Sequence, residues 1–200
     1  MIGLNWKKVL HARAMGGRDD AQYNDLQHEY WGHGRGLSVI LLGDYASPGT
    51  WSHQQFSADD RARAEHIMEQ LGVAALRDRT FATMSTSEQR RFLLGRALMS
   101  DPDILLLDEP TSVLDLKACF QYLDIVRGLM QAGKTVILVT HHIHEIPPEV
   151  SRVVLLKDGA VLADGAKEKI LTSAQLSQLF DTPIKLARAN GFYQAMPGRH

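Results

Sequence analysis

Cysteine occurs once in the 200 residues, at position 119. That scarcity excludes an internal disulfide framework, and Cys119 falls on the apolar side of a helical pattern, where it is expected to be a small buried hydrophobe rather than a reactive thiol. Long apolar runs are also lacking. No stretch reaches the roughly 20 residues that span a bilayer and none resembles a signal peptide, so the expected location is the cytoplasm. Charge of one sign is not in excess either: 22 Lys and Arg stand against 23 Asp and Glu, for a net charge of −1. No global field therefore recruits nucleic acid or an anionic membrane, and no nucleic-acid partner is expected. Internal repeats and low-complexity tracts are absent as well. What is present, 44% apolar and 22% charged residues, is ordinary for one globular domain with a full core.

Residues 1–36 show no sustained period and receive no assignment. The segment "LSVILLGDYASPGTW" reads as a short apolar stretch followed by a Pro-Gly turn. "SADDRARAEHIMEQLG" opens on a Ser57…Asp60 cap and places Ala64, Ile67, Met68 and Leu71 on one helix face. Ser85 and Glu88 form a second capping-box pattern at the head of another helix. The run "ILLL" is followed by a helical spacing of Leu116, Cys119, Phe120, Leu123, Val126 and Met130, and then by "VILVT". Two short apolar runs joined by a helix predict parallel strands covered on both faces, linked by a right-handed crossover. Further on, Asp158-Gly159 and Asn190-Gly191 each sit between two apolar runs and predict two-residue hairpins, with the helix "AQLSQLF" between them.

"GLMQAGKT", residues 128–135, fits the phosphate-loop pattern G-x-x-x-x-G-K-[ST] letter for letter. Its setting is reversed. A phosphate loop needs a strand before it and a helix after it, whereas here a helix precedes and a strand follows. Gly133 is expected to end the helix, with Lys134 near its negative end.

Chemistry is loaded where parallel strands end. "ILLL" runs into Asp108-Glu109 and "VILVT" into Thr140-His141, and ligands of α/β proteins bind at the carboxyl ends of such strands. One carboxylate can hold Mg²⁺ through its waters and a second can orient or deprotonate an attacking water. Adjacent acids after a strand are otherwise a solvated strand end. The histidines of "HHIHE" (His141, His142, His144) leave open a metal-binding reading, which stoichiometric zinc would support.

In this order, "MSTSEQRRFLLGRALMSDPDILLLDEPTSVLDL" and "AGKTVILVTHHIHE" closely resemble the ATP-binding cassette (ABC) transporter ATPases. The resemblance runs from about residue 37 to the C-terminus and leaves 1–36 outside it. It implies an α/β fold of the P-loop NTPase type, with a parallel sheet core and C-terminal hairpins. "STSE", Ser85, Thr86, Ser87 and Glu88, stands at the signature motif that binds nucleotide. "ILLLDEP" stands at the Walker B motif, so the resemblance assigns Mg²⁺ to Asp108 and the general base to Glu109. "SVLD" stands at the D-loop, where Asp115 contacts a dimer partner, and "VTHH" at the switch loop, where His141 senses the γ-phosphate. Implied too are ATP, a second ATPase subunit in a homo- or heterodimer, and a membrane permease against whose inner face the subunit docks. "THHIHEIPPE" and "LLGDYASPGTW" look most like the molybdenum-type subgroup.

Two departures qualify what the resemblance implies. Nothing between Met1 and Ser85 fits the family's own phosphate loop: "GHGRG" at 32–36 lacks the Lys-Ser/Thr pair, and Gln22 and Gln27 are only nominal counterparts of the family's Q-loop glutamine. The expectation is an N-terminally truncated ATPase domain without the phosphate-loop strand and helix, with apolar surface left uncovered beside them. Losing even three charged hydrogen bonds costs ~6 kcal/mol and would take a micromolar site beyond millimolar, so ATP would be held weakly. The signature reads Ser85-Thr86-Ser87 where the family has Ser-Gly-Gly, and glycine there allows close backbone approach to phosphate. The alternative is a non-catalytic, truncated or decayed fragment that only binds partners.

Overall fold

A computed structural model describes residues 34–43 and 56–198. The chain divides into two compact units, Met1–Val139 and Thr140–His200.

In the first unit the capping patterns start helices where the sequence places them. α1 (Gly36–Leu41) is followed by α2 (Ala58–Gln70), which Ser57 caps by accepting the Asp60 N–H while Asp60 accepts the Ser57 N–H at 2.8 Å. α3 (Thr86–Met99) opens on the same reciprocal box between Ser85 and Glu88. The three helices pack on one another, and Ile40, Met68, Leu71, Phe92 and Leu94 are all at most 1% exposed in their shared core. At Gly95 in α3 an added Cβ would lie 2.8 Å from Leu71 Cδ1, so the helix approaches its neighbours as closely as only glycine permits. The "LSVILL" stretch is helical in α1 because Val39 N–H reaches Arg35 O and Leu42 N–H reaches Ser38 O. Leu37, Val39, Ile40 and Leu41 are all buried, so the segment lacks the polar side that would mark a helix in sequence.

β1 (Ile104–Asp108) and β2 (Thr135–Val139) pair in parallel, in register from Ile104↔Thr135 to Asp108↔Val139, and α4 (Leu116–Gln131) connects them. Both strands therefore end at one edge. The face of α4 differs from the expected one: Cys119, Tyr122, Leu123 and Val126 are buried, while Leu116 and Phe120 are 64% and 50% exposed. A stripe through 119, 122, 123 and 126 leaves position 120 rotated outward, and Tyr122 fills the core in its place. The sheet differs too. Leu105 and Leu107 of β1 are buried, but Ile137 and Val139 of β2 are 41% and 45% exposed, so among the described residues one row of β2 has no cover.

The second unit begins with a 3₁₀ turn, Ile143–Glu145, and holds two antiparallel hairpins, β3 (Arg152–Lys157) with β4 (Ala160–Ala166) and β5 (Ile184–Ala189) with β6 (Phe192–Pro197). Between them lie α5 (Lys167–Ile170) and α6 (Ser173–Phe180). Asp158 and Gly159 have φ 51 and 77, and Asn190 and Gly191 have φ 51 and 82. Positive φ at both central residues is the type I′ turn that suits the strand twist, which is why Asp-Gly and Asn-Gly announce these hairpins. Leu171, Leu176 and Tyr193 form the buried centre, with Ile143, Ile146, Val153 and Ile184 packed around it.

Candidate functional site

Asp108 closes β1, and the chain then turns sharply at Glu109, whose φ is 43. The Glu109 N–H donates to Val139 O at 2.8 Å, so the turn is anchored on the last residue of the neighbouring strand. Five described residues other than glycine have positive φ: Asp101, Glu109, Asp158, Asp181 and Asn190. Four are Asp or Asn, which tolerate the left-handed region through local hydrogen bonds. Glu109 has no such licence. A residue held there costs about 1–3 kcal/mol and persists because its surroundings impose it, a condition that clusters at functional sites.

Beyond Glu109 the loop is short and internally bonded. Ser112 N–H reaches Glu109 O at 3.3 Å and Leu114 N–H reaches Thr111 O at 3.0 Å. Thr111 is 3% exposed and its hydroxyl finds no partner among the described residues. Asp115 then caps α4, its Oδ1 accepting Ala118 N–H at 2.8 Å. The three positions singled out in this stretch, Asp108, Glu109 and Asp115, thus lie on one short run from the end of β1 through the loop to the head of α4.

Ser85 is exposed, and its Oγ lies 3.3 Å from Ser87 Oγ as well as accepting the Glu88 N–H. Thr86 is exposed and Ser87 half-buried in the first turn of α3. Glu88 Oε2 accepts the Ser85 N–H at 2.7 Å, and this bond is the main cause holding its carboxyl below the usual range. The Glu88 carboxylate is therefore committed to its own helix end.

The phosphate-loop look-alike is a helix terminus. Gly133 has φ 92, its N–H donates to Met130 O, and Lys134 N–H donates to Leu129 O, the paired bonds of a Schellman cap. Lys134 Nζ binds Asp101 Oδ1 and Pro102 O, tying the start of β2 to the start of β1.

In the second unit His141 follows Thr140, and its ring centroid lies 3.9 Å from that of His142, which lies 5.4 Å from His144. Among the described residues no group of three or more His, Cys, Asp or Glu is arranged to hold a metal ion. No described helix is long and apolar enough to cross a membrane. Gln22 and Gln27, with Gly32 and His33 of the glycine-rich stretch, lie outside the described residues. Two features escape sequence reasoning: the buried Thr111 hydroxyl and a buried carboxylate, Glu145, that bonds Thr140. The only signal for the second is an acid placed between Ile143 and Ile146, both of which face the apolar centre.

A parallel strand–helix–strand unit with acids at its carboxyl edge, beside a helix opened by a serine-rich capping box, defines an α/β protein built to handle ligands at strand ends. Residues 12–112 match the ABC transporter family, and the chain belongs to that family. It is 37% identical over 161 residues to the uncharacterized ABC transporter ATP-binding protein YlmA of Bacillus subtilis, covering 80% of this chain and 60% of that protein. Over 125 residues it is 40% identical to the ABC transporter ATP-binding protein ModF of Escherichia coli, covering 62% of this chain and 26% of ModF. The fold matches MJ1267, an ATP-binding cassette of an ABC transporter in its ADP conformation, with a TM-score of 0.67 at 18% identity, covering 76% of this chain and 64% of that one. The chain thus spans about three-fifths of the length of YlmA. The family match starts at residue 12, inside the stretch that periodicity left unassigned.

Proposed function

We propose that this chain is an ATP-hydrolysing subunit of an ABC transporter that works only when paired with a second ATPase subunit and docked on a separate membrane permease. The observation that carries it is Glu109, a glutamate held in the left-handed region directly after Asp108 at the carboxyl end of a parallel strand. Strain of that kind is retained where a side chain must be aimed.

The residues suit the chemistry. Asp108 offers the hard oxygen donor that Mg²⁺ takes, directly or through water, and bound Mg²⁺ would offset the phosphate charge. Glu109 takes the proton of the attacking water. His141 contacts the γ-phosphate and registers its presence. Ser85, Thr86, Ser87 and Glu88 present the head of α3 to a nucleotide held by the partner, where the helix's free N–H groups favour an anion. Asp115, at the head of α4, meets the partner chain. Nothing between Met1 and Ser85 fits the family's phosphate loop. On this reading the chain by itself holds ATP weakly and supplies its signature to the partner's site.

The test is ATP turnover of the chain copurified with its partner from its own cells. Glu109→Gln should lower kcat by about 10²–10⁴, the range for loss of a general base, with little change in nucleotide binding. Turnover unchanged by the substitution would leave a non-catalytic partner-binding role in its place.

A further inference from the structure

Glu145 is 3% exposed, one of few buried charged residues among those described. A carboxylate out of water needs strong partners. Its Oε2 accepts the Thr140 hydroxyl proton, and the same Thr140 Oγ1 accepts the His142 N–H at 3.0 Å. The ring is closed from the other side, because Glu145 N–H donates to His142 O at 3.1 Å. His141 lies inside this ring, between the two residues whose backbone and hydroxyl the carboxylate ties down. Ile143 and Ile146, on either side, pack on the Leu171, Leu176 and Tyr193 cluster.

The segment that follows is fastened as firmly. Lys167, 1% exposed, donates from Nζ to Pro147 O at 3.1 Å and Pro148 O at 2.6 Å. Pro148 in turn leaves no room at Gly191, where an added Cβ would lie 2.9 Å from Pro148 Cβ. Such anchoring exceeds what a connecting loop needs. It resembles the support that a reacting side chain requires to be held within a fraction of an ångström.

We infer that Glu145 is a positioning residue for His141, fixing the histidine's backbone through Thr140 and His142 without touching nucleotide itself. The inference rests on the proposed role of His141 for its activity arm and on geometry alone for its structural arm.

The experiment uses the full chain with its partner. Glu145→Ala should lower kcat by about 10–100-fold with KM for ATP nearly unchanged, since small misplacements far from the chemistry carry penalties of this size. Glu145→Gln, which can still accept the Thr140 proton, should restore most of the rate. In a His141→Ala background Glu145→Ala should cost nothing further, because residues acting as one unit are non-additive. Should Glu145→Ala fail to fold, Thr140→Val combined with Glu145→Leu removes both side chains of the bond without leaving a buried carboxylate unpaired, and should show the same loss as the His142 N–H is freed. Independently of turnover, amide exchange at His142 should accelerate about 10-fold or more in either variant as the local bond opens. Full losses in both single variants, adding independently, would overturn the inference while leaving His141's role intact. Unchanged His142 exchange would also overturn it. Turnover insensitive to His141→Ala would instead overturn the proposed role of His141, and exchange at His142 would then decide the positioning by itself.

Discussion

Glu109 accepts a backbone conformation that only its surroundings explain, and its cost can be separated from its chemistry. Glycine adopts φ 43 without a Cβ clash, whereas alanine keeps the clash and loses only the carboxylate. Glu109→Gly should therefore be more stable than Glu109→Ala by about 1 kcal/mol in urea unfolding, with both equally inactive. Equal stability would mean that the surroundings do not impose the φ. The place of Asp108 and Glu109 is legible in the sequence, because two acids follow an apolar run where a parallel strand ends. Their conformation is not, since glutamate has no local preference that would foretell a left-handed turn. Glu145 was hidden for a related reason: its partner Thr140 is five residues away, across a 3₁₀ turn that no period announces.

Among the elements, the end of α4 best shows context overruling a motif. The same letters, Gly-Lys-Thr, would cradle phosphate between a strand and a helix, and here they close a helix and open β2. Lys134→Ala should therefore leave nucleotide binding unchanged and lower stability by no more than about 1 kcal/mol, as for other partly exposed ion pairs. A loss of ATP binding, read by fluorescent-nucleotide titration, would reinstate it as a phosphate ligand. The hairpins and capped helices were readable because Asp-Gly, Asn-Gly and the Ser-x-x-acid boxes act locally. α1 was unreadable because burial on all sides removes the polar stripe. Among the described residues one row of β2 stays uncovered, because uninterrupted apolar letters state a preference for burial and cannot state whether cover is supplied.

Across the molecule, the acids with shifted affinity lean one way. Hydrogen bonds hold Asp60, Glu88, Asp101 and Asp164 below the usual carboxylate range, from the Ser57 hydroxyl, the Ser85 N–H, Lys134 and Arg152 respectively. Their folded pKa values lie under the unfolded ones, so the unfolded chain binds more protons as acid is added. Their contribution is complete above the ordinary carboxylate pKa of about 4 and is lost as pH falls through the folded values. Urea midpoints should accordingly hold steady from pH 7 to about 5 and decline below about 4, modestly because these groups face solvent. A decline that began between pH 7 and 5 would show that these four carboxylates do not set the acid limit. At this scale the sequence conveyed an α/β chain with its acids at strand ends. The division at Val139 escaped it, because no composition shift or linker marks the place. The two-residue turns of the second unit also govern how this chain can change its length. The second hairpin keeps its register throughout, with Tyr193 inward, whereas in the first a register shift between Leu155 and Leu156 takes up one extra residue on β4 and keeps Leu155 inward. Substitutions on the outer rows are absorbed one side chain at a time, whereas a single-codon insertion must be taken up by a bulge of the kind β4 already carries or else exchange the two faces of the strand beyond it.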